Sequence, residues 1–299
     1  MRVIITGGTG LVGRTTTNLL ATAGHEVIVL SRTPDRARDL PSGAKAQQWD
    51  AKSGDGWFEL VNANTVIVNL AGQNLFNWRW TKKHKARVVE SRMAAARAVV
   101  DAIRRSRRTP RLVIQASAVG YYGNRGDEEL SEFAQPGEGF LADLVRQWEK
   151  AIPVAVPGRR VFLRLGVVLS RRGGAFPKLL LGSRTGVGNF GKGQQWVPWV
   201  HEDDVASAIR FLLLNDIAAG PFNVVAPEAV TMREFMRTLA KVRKLPAFLP
   251  VPALALKVTM GEMRTMLLDS QRVVPRKLLD AGFEFRYDGL EDALKALMA

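Results

Sequence analysis

No cysteine occurs among the 299 residues. That excludes disulfides, thiolate metal sites and cysteine nucleophiles, and it fits a reducing compartment. Long apolar runs are missing as well: no window holds ~18 consecutive apolar residues, so no membrane-spanning helix is expected. The N-terminus shows no charged region followed by a long apolar segment, so no signal peptide is expected. These absences lead to the expectation of a soluble, cytoplasmic protein with no membrane partner and no metal site. Tyrosine is scarce, with only Tyr121, Tyr122 and Tyr287. Internal repeats and low-complexity tracts are absent.

Positive charge is abundant, with a formal net charge of +15. A surplus of that size suits a nucleic-acid or anionic-lipid surface. The basic residues are scattered, however: Arg14, Arg32, Arg36 and Arg38, then Lys82, Lys83, Lys85 and Arg87, then Arg104, Arg105, Arg107 and Arg108. No zinc finger, RNA-recognition signature or helix-turn-helix pattern accompanies them. A nucleic-acid partner is therefore not expected, whereas a small, phosphorylated or otherwise anionic substrate is. With 46% hydrophobic residues the chain can bury a large core.

The most informative stretch is Val3-Ile4-Ile5-Thr6-Gly7-Gly8-Thr9-Gly10-Leu11-Val12-Gly13. An apolar β-branched run meets glycines at 7, 10 and 13 and passes directly into a helical pattern. Strand, glycine turn and helix in that order form the setting in which such a motif holds a dinucleotide. Gly7 permits the tight turn, Gly10 lets backbone approach a pyrophosphate, and Gly13 lets helix and strand pack closely. The helix start offers unpaired N–H groups and a partial positive charge to the phosphates. Gly7, Thr9, Gly10, Leu11, Val12 and Gly13 are thus candidate cofactor residues.

Glu26 to Ser31 reads as a second strand buried on both faces. About 20 positions beyond the glycines, an NAD site places an acidic residue on the ribose 2′-hydroxyl. Ser31-Arg32 stands there instead, with Arg36 and Arg38 following. An arginine pairs with a 2′-phosphate and cannot accept from a hydroxyl. The reading is NADP(H), although Asp35 lies a little further on.

Further strands are expected at Ala44 to Trp49, Thr65 to Gly72, Arg111 to Ser117, Arg160 to Leu165 and Phe222 to Val225, with a short helix at Asp55 to Val61. Leu70, Ala71 and Gly72 would run close to the cofactor's adenosine side. A long helix is expected from Thr81, its N-cap, to Arg107; Lys82, Lys83 and Lys85 oppose its dipole and leave room for a bound anion or a plain solvated face. Another helix covers Gly139 to Ile152. The glycine-rich Gly182 to Gly193 reads as a mobile loop over a substrate or as a surface excursion. Asp203 or Asp204 is the expected cap of a helix ending at Leu214, with His201 before it as a proton carrier or a structural hydrogen-bonding group. Thr231 and Glu234 form a capping box. From Pro246 a tail follows: helical over Leu254 to Ala281, strand-like over Phe283 to Tyr287, and helical again over Leu290 to Met298. The fold class is α/β, a Rossmann-type doubly wound parallel sheet with a small mixed or helical C-terminal module. The expected division is 1–245 and 246–299. Gly7, Ala71, Ser117 and Gly166 should share one rim, the ligand crevice.

These residues resemble the extended short-chain dehydrogenase/reductases, the NAD-dependent epimerase/dehydratase family. The likeness rests on the glycine motif, Asn69-Leu70-Ala71-Gly72, Ser117-Ala118-Val119-Gly120-Tyr121-Tyr122-Gly123 and Trp199-Val200-His201-Glu202-Asp203-Asp204. Asn77-Trp78-Arg79-Trp80, Gly173-Gly174-Ala175 and Pro246 to Pro252 are similar to an atypical branch described as nucleoside-diphosphate-sugar epimerases, which has its own C-terminal domain. The resemblance covers essentially the whole chain. It implies Arg92 and Val168 near the cofactor, and a catalytic serine with a Tyr-x-x-x-Lys pair. Ser117 stands at the serine position. The pair is missing: four residues after the three tyrosines come Arg125, Gly126 and Glu291, and Phe140 and Leu144 occupy the expected helix positions. Ser117, Tyr121 and Tyr122 remain the candidate proton-handling residues. The functional expectation is an NADP(H)-dependent oxidoreductase or epimerase acting on a phosphorylated or nucleotide-sugar-like substrate. The alternative is an NADP-binding regulatory protein with little turnover, in cell division or redox sensing.

Overall fold

A computed structural model describes residues 1–37, 40–76, 79–156 and 158–299. Seven strands, β1 (Arg2–Thr6), β2 (Glu26–Ser31), β3 (Ala44–Gln48), β4 (Thr65–Asn69), β5 (Leu112–Ala118), β6 (Arg159–Leu165) and β7 (Gly220–Val224), form one sheet. Their order is β7-β6-β5-β4-β1-β2-β3 and every pairing is parallel. The order reverses between β1 and β4, which opens a crevice at the C-terminal strand ends.

The period-2 strand pattern explains the two layers. Val3 and Ile5 point to the face covered by α1 (Leu11–Thr22), where they join Leu20, Val205, Ile209 and Leu212. Ile4 points to the other face, joining Ile28, Ile67, Ala95 and Val99 beneath α2 (Lys82–Ser106). All these side chains are at most 1% exposed, each worth about 1.5–3 kcal/mol of transfer free energy for the larger ones. Thr81 caps α2 by accepting from the His84 N–H at 3.1 Å, and Arg107 ends it in the left-handed conformation, φ 52°.

After α3 (Phe140–Lys150) and β6, several expectations are corrected. The stretch Gly182 to Gly193 is ordered: it holds the end of α4 (Phe176–Arg184) and a strand, Val187–Phe190, paired in parallel with Leu249–Val251. Asp55 to Val61 forms only a single 3-10 turn, Phe58–Leu60. The helix α5 (Glu202–Leu214) begins one residue earlier than read, and its cap is His201, whose Nδ1 accepts from the Asp203 N–H at 3.1 Å. Asp204 is 1% exposed and serves another purpose: its carboxylate accepts the Arg286 N–H at 2.8 Å and the Tyr287 N–H at 3.1 Å. Those bonds explain why Phe283 to Tyr287 is no strand. The Arg286 and Tyr287 N–H groups go to this buried carboxylate, and the Phe283 N–H goes to the Leu278 carbonyl at 2.9 Å.

The C-terminal segment carries α6 (Met232–Val242) into α7 (Ala253–Met260) and ends in the helix Leu290–Met298. Strand Arg272–Val273 pairs with Glu129–Leu130. The terminal helix shares a core with α6 through Leu239, Leu290 and Leu294. The basic start of α2 faces this segment: Lys85 pairs with Glu262, and Arg79 donates to the carbonyls of Val258 and Thr259 at the end of α7. Lys85 and Arg79 therefore have partners within the chain, while Lys82 and Lys83 are exposed. Arg38, Asn77 and Trp78 lie outside the described residues, as does the Arg36 side chain.

Asp204→Ala is expected to lower the unfolding free energy by about 2–3 kcal/mol, since two buried N–H groups lose a charged acceptor. Urea denaturation followed by circular dichroism measures it. An unchanged midpoint would show that the tail does not depend on this carboxylate.

Candidate functional site

A cavity of about 550 Å³ lies at the C-terminal rim of the sheet. One wall is the glycine turn. Gly7 has φ +69°, and a Cβ there would sit 2.9 Å from the Leu70 carbonyl carbon. A Cβ on Gly13 would come within 2.2 Å of the Gly7 oxygen, so strand and helix touch backbone to backbone. Gly10 precedes α1 without a side-chain cap, and the first turn of α1 carries no acidic residue. Its N–H groups are left for an external acceptor. The site suits the pyrophosphate of a dinucleotide: a small-residue cradle under a positive helix end, with no carboxylate to repel it.

The strand ends carry a row of buried polar groups. The Asn69 amide accepts from Thr6 Oγ1 and donates to Gln115 Oε1 at 2.8 Å. The same Thr6 hydroxyl accepts the Ala71 N–H at 3.2 Å, fixing the Leu70-Ala71-Gly72 segment against β1. Arg92, 7% exposed, packs over Gly72 and donates from Nη1 to the carbonyls of Gln73 and Val88. Burial pulls its guanidinium down to about 10, and its Nε has no partner among the described residues.

Ser117 lines the middle of the cavity, and its hydroxyl donates to Glu149 Oε1 at 2.6 Å. Glu149 in turn receives Arg164 Nε at 2.9 Å and Nη2 at 3.1 Å. Arg164 is 3% exposed; it also donates to the Tyr122 hydroxyl at 3.0 Å and lies 3.6 Å from the Tyr121 ring centroid. Burial alone would lower the Arg164 pKa, but the hydrogen bonds and charge interactions with Glu149 and Tyr122 together more than reverse this and raise it. With its proton committed to Glu149, Ser117 presents lone pairs to the cavity and is set up as an acceptor.

Nine of the thirteen candidate cofactor residues line the cavity: Gly7, Gly10, Leu11, Val12, Gly13, Leu70, Gly72, Arg92 and Val168. Ala71 stands behind it. Thr9 is exposed, and its carbonyl accepts from Arg14. Leu30 is in register with Thr6, so Ser31 and Arg32 follow at the same rim, beside the glycine turn, with Arg32 exposed. Of the three candidate proton carriers only Ser117 borders the cavity. Tyr122 is fully buried; its hydroxyl donates to Asn223 Oδ1 at 2.7 Å, and burial pushes its phenol up to about 12. Tyr121 packs on Arg164. Neither ring is on the described cavity lining: both contact Arg164, Tyr121 through its face and Tyr122 through its hydroxyl.

Of the two positions read as standing for the Tyr-x-x-x-Lys pair, Phe140 packs edge-on against Trp80 and is not on the described cavity lining, whereas Leu144 lines it together with Leu141, Val145 and Trp148 of α3. Missed by the sequence reading were Glu149, Arg164 and Asp269. Asp269 is the one carboxylate on the described lining. An arginine directly after the apolar run Val161-Phe162-Leu163 was the signal available for Arg164; nothing local marks Asp269.

A sequence model described as the NAD dependent epimerase/dehydratase family matches residues 3–146, and a domain of unknown function (DUF1731) matches residues 251–297. The epimerase family protein YfhF of Bacillus subtilis is 38% identical over 100% of this chain and 98% of its own length. The chain belongs to the NAD-dependent epimerase/dehydratase family. A crystal structure of human epimerase family protein SDR39U1 with NADPH is similar over 99% of both chains, with 34% identity and a TM-score of 0.88. Thermus thermophilus UDP-glucose 4-epimerase in complex with NAD has a TM-score of 0.78 at 21% identity, covering 100% of this chain and 99% of that one. That second likeness establishes the fold alone. Within this epimerase-family chain, the glycine turn falls inside the first matched region and Asp269 inside the second.

Glu149→Ala is expected to cost about 3–5 kcal/mol of stability, because it strands the Arg164 charge in the interior. Chemical denaturation measures it. The double variant Glu149→Ala with Arg164→Met should recover most of the loss; a double variant no more stable than the single one would mean the loss is not due to the unpaired cation.

Proposed function

We propose that this protein binds NADP(H) and serves as an oxidoreductase or epimerase on a small, nucleotide-sugar-like substrate. The observation that carries the reading is the uncapped, acid-free start of α1, opening from the glycine turn into a cavity that continues to Ser117. Gly7, Thr9, Gly10, Leu11, Val12 and Gly13 hold the pyrophosphate; Leu70, Ala71 and Gly72 border the adenosine side; Arg92 and Val168 lie beside the cofactor. Ser31 and Arg32 take the 2′-phosphate, which favours NADP(H) over NAD(H). The human relative described with NADPH supports that preference. When bound, the nicotinamide supplies hydride transfer to or from a substrate carbon. The chain's own contribution is to bind and orient: Ser117, tied to Glu149, accepts a hydrogen bond from the substrate, and the apolar Leu141, Val145 and Trp148 exclude water. We place the protein in the cytoplasm and the division of the chain at residue 246.

A second reading has its own observation. Phe140 and Leu144 stand where the family resemblance expects the Tyr-x-x-x-Lys pair, which favours an NADP-binding regulatory protein with little turnover. Screening small hydroxyl and carbonyl compounds for NADPH formation or consumption separates the two.

Arg32→Ala is expected to weaken NADPH binding by about 1–3 kcal/mol, the contribution of a charge-assisted contact, and to leave NADH nearly unchanged. Fluorescence titration with both nucleotides measures this. Tighter binding of NADH than of NADPH to the unmodified protein would refute the assignment of Arg32.

A further inference from the structure

The cavity has one wall that the cofactor reading leaves unexplained. It comes from the C-terminal segment, where Thr265, Met266, Leu267, Asp269 and Gln271 face the crevice. This wall is built to hold one geometry. Ser270 Oγ donates to the Gly126 carbonyl at 2.6 Å and accepts the Trp196 N–H at 3.1 Å, while Ser270 N–H donates to Asn124 Oδ1 at 2.9 Å. Gln271 Nε2 donates to the Gly123 carbonyl at 2.8 Å, and the Asp269 N–H to the Thr265 carbonyl at 2.9 Å. The Ser270 side chain and N–H, the Gln271 Nε2 and the Asp269 N–H are all engaged. The Asp269 carboxylate is the exception: it is half-buried and has no hydrogen bond or ion pair among the described residues.

The only other charge on the described lining is Arg92, whose Nη1 is occupied by two backbone carbonyls. A half-buried carboxylate without a partner costs free energy unless a ligand supplies a donor. Burial raises the Asp269 pKa, opposed by the nearby Arg264, in keeping with an acceptor that lacks its partner.

We propose that Asp269 is the specificity-determining residue of the substrate half of the cavity, its carboxylate taking a hydrogen-bond donor on the substrate, a hydroxyl or an ammonium. The C-terminal module is then part of the binding site and not an appendage. The substrate end that meets it is a polyol, a sugar or an amino sugar, and a carboxylate or phosphate at that end is rejected by like charge. This rests on the reading of the cavity as a cofactor-plus-substrate site, because the dinucleotide accounts for the opposite wall.

The test uses the full-length protein saturated with NADP⁺ and three isosteric probes, glucose, glucosamine and glucuronate, followed by saturation-transfer NMR titration. Glucose and glucosamine are expected to bind at least about tenfold more tightly than glucuronate, a difference of ~1.4 kcal/mol. Glucosamine binding above glucose assigns the donor as an ammonium, and the reverse order as a hydroxyl. In Asp269→Asn, which keeps the side-chain shape, the discrimination against glucuronate should fall below about threefold. NADPH affinity, read by fluorescence, should stay within about twofold, since Asp269 lies away from the glycine turn. The proposal is overturned if glucuronate binds as tightly as glucosamine, if Asp269→Asn keeps the same order, or if no probe binds below about 100 mM. Loss of NADPH binding with the probe order intact would remove the cofactor reading alone.

Discussion

The charge of Arg164 is the constraint around which the crevice is arranged. A guanidinium on a central strand, 3% exposed, is tolerable only if its donors are consumed. Five contacts achieve this: two bonds from Glu149 on α3, the Tyr122 hydroxyl, the Glu132 carbonyl and the face of the Tyr121 ring. Each contact also fixes something else. Glu149 aligns α3 against β5 and accepts the Ser117 hydroxyl's hydrogen bond. Tyr122 carries the network on to Asn223 of β7, whose amide donates to the carbonyls of Leu130 and Val274. One buried cation therefore connects Ser117, α3 and the start of the C-terminal segment.

The consequence for chemistry is that Ser117 and the two neighbouring tyrosines have separate tasks. The serine borders the cavity with its proton already committed, whereas the tyrosines stabilise the arginine behind it. The α3 side of the cavity carries the apolar Leu141, Leu144, Val145 and Trp148, and Ser117 and the C-terminal wall contribute polar groups to the described lining. The fold is shared with a UDP-glucose 4-epimerase.

The surplus positive charge has a local explanation in part. Lys85, Arg79, Arg125, Arg159, Arg164 and Arg172 each bond to a carboxylate or a backbone carbonyl elsewhere in the chain. Several of these bonds join the C-terminal segment or the strand-end loops to the main sheet. A scattered basic composition is what such stitching leaves in a sequence.

What the sequence determined by itself is what depends on neighbours in the chain. The β-branched runs, the glycine turn, the Thr81 cap and the Thr231–Glu234 box are set by backbone sterics and by side chains three or four residues apart. The parallel sheet and the rim carrying Gly7, Ser117 and Gly166 follow from them. Tertiary structure alone decided the rest, because burial and charge pairing are relations between distant segments. Tyr122 was drawn into the interior by Asn223, 101 residues away. Arg286 and Tyr287 gave their N–H groups to Asp204, 82 and 83 residues back. Asp269, unremarkable in its own stretch, became the cavity's carboxylate because Ser270 and Gln271 are bonded to the Gly123–Gly126 loop about 145 residues earlier.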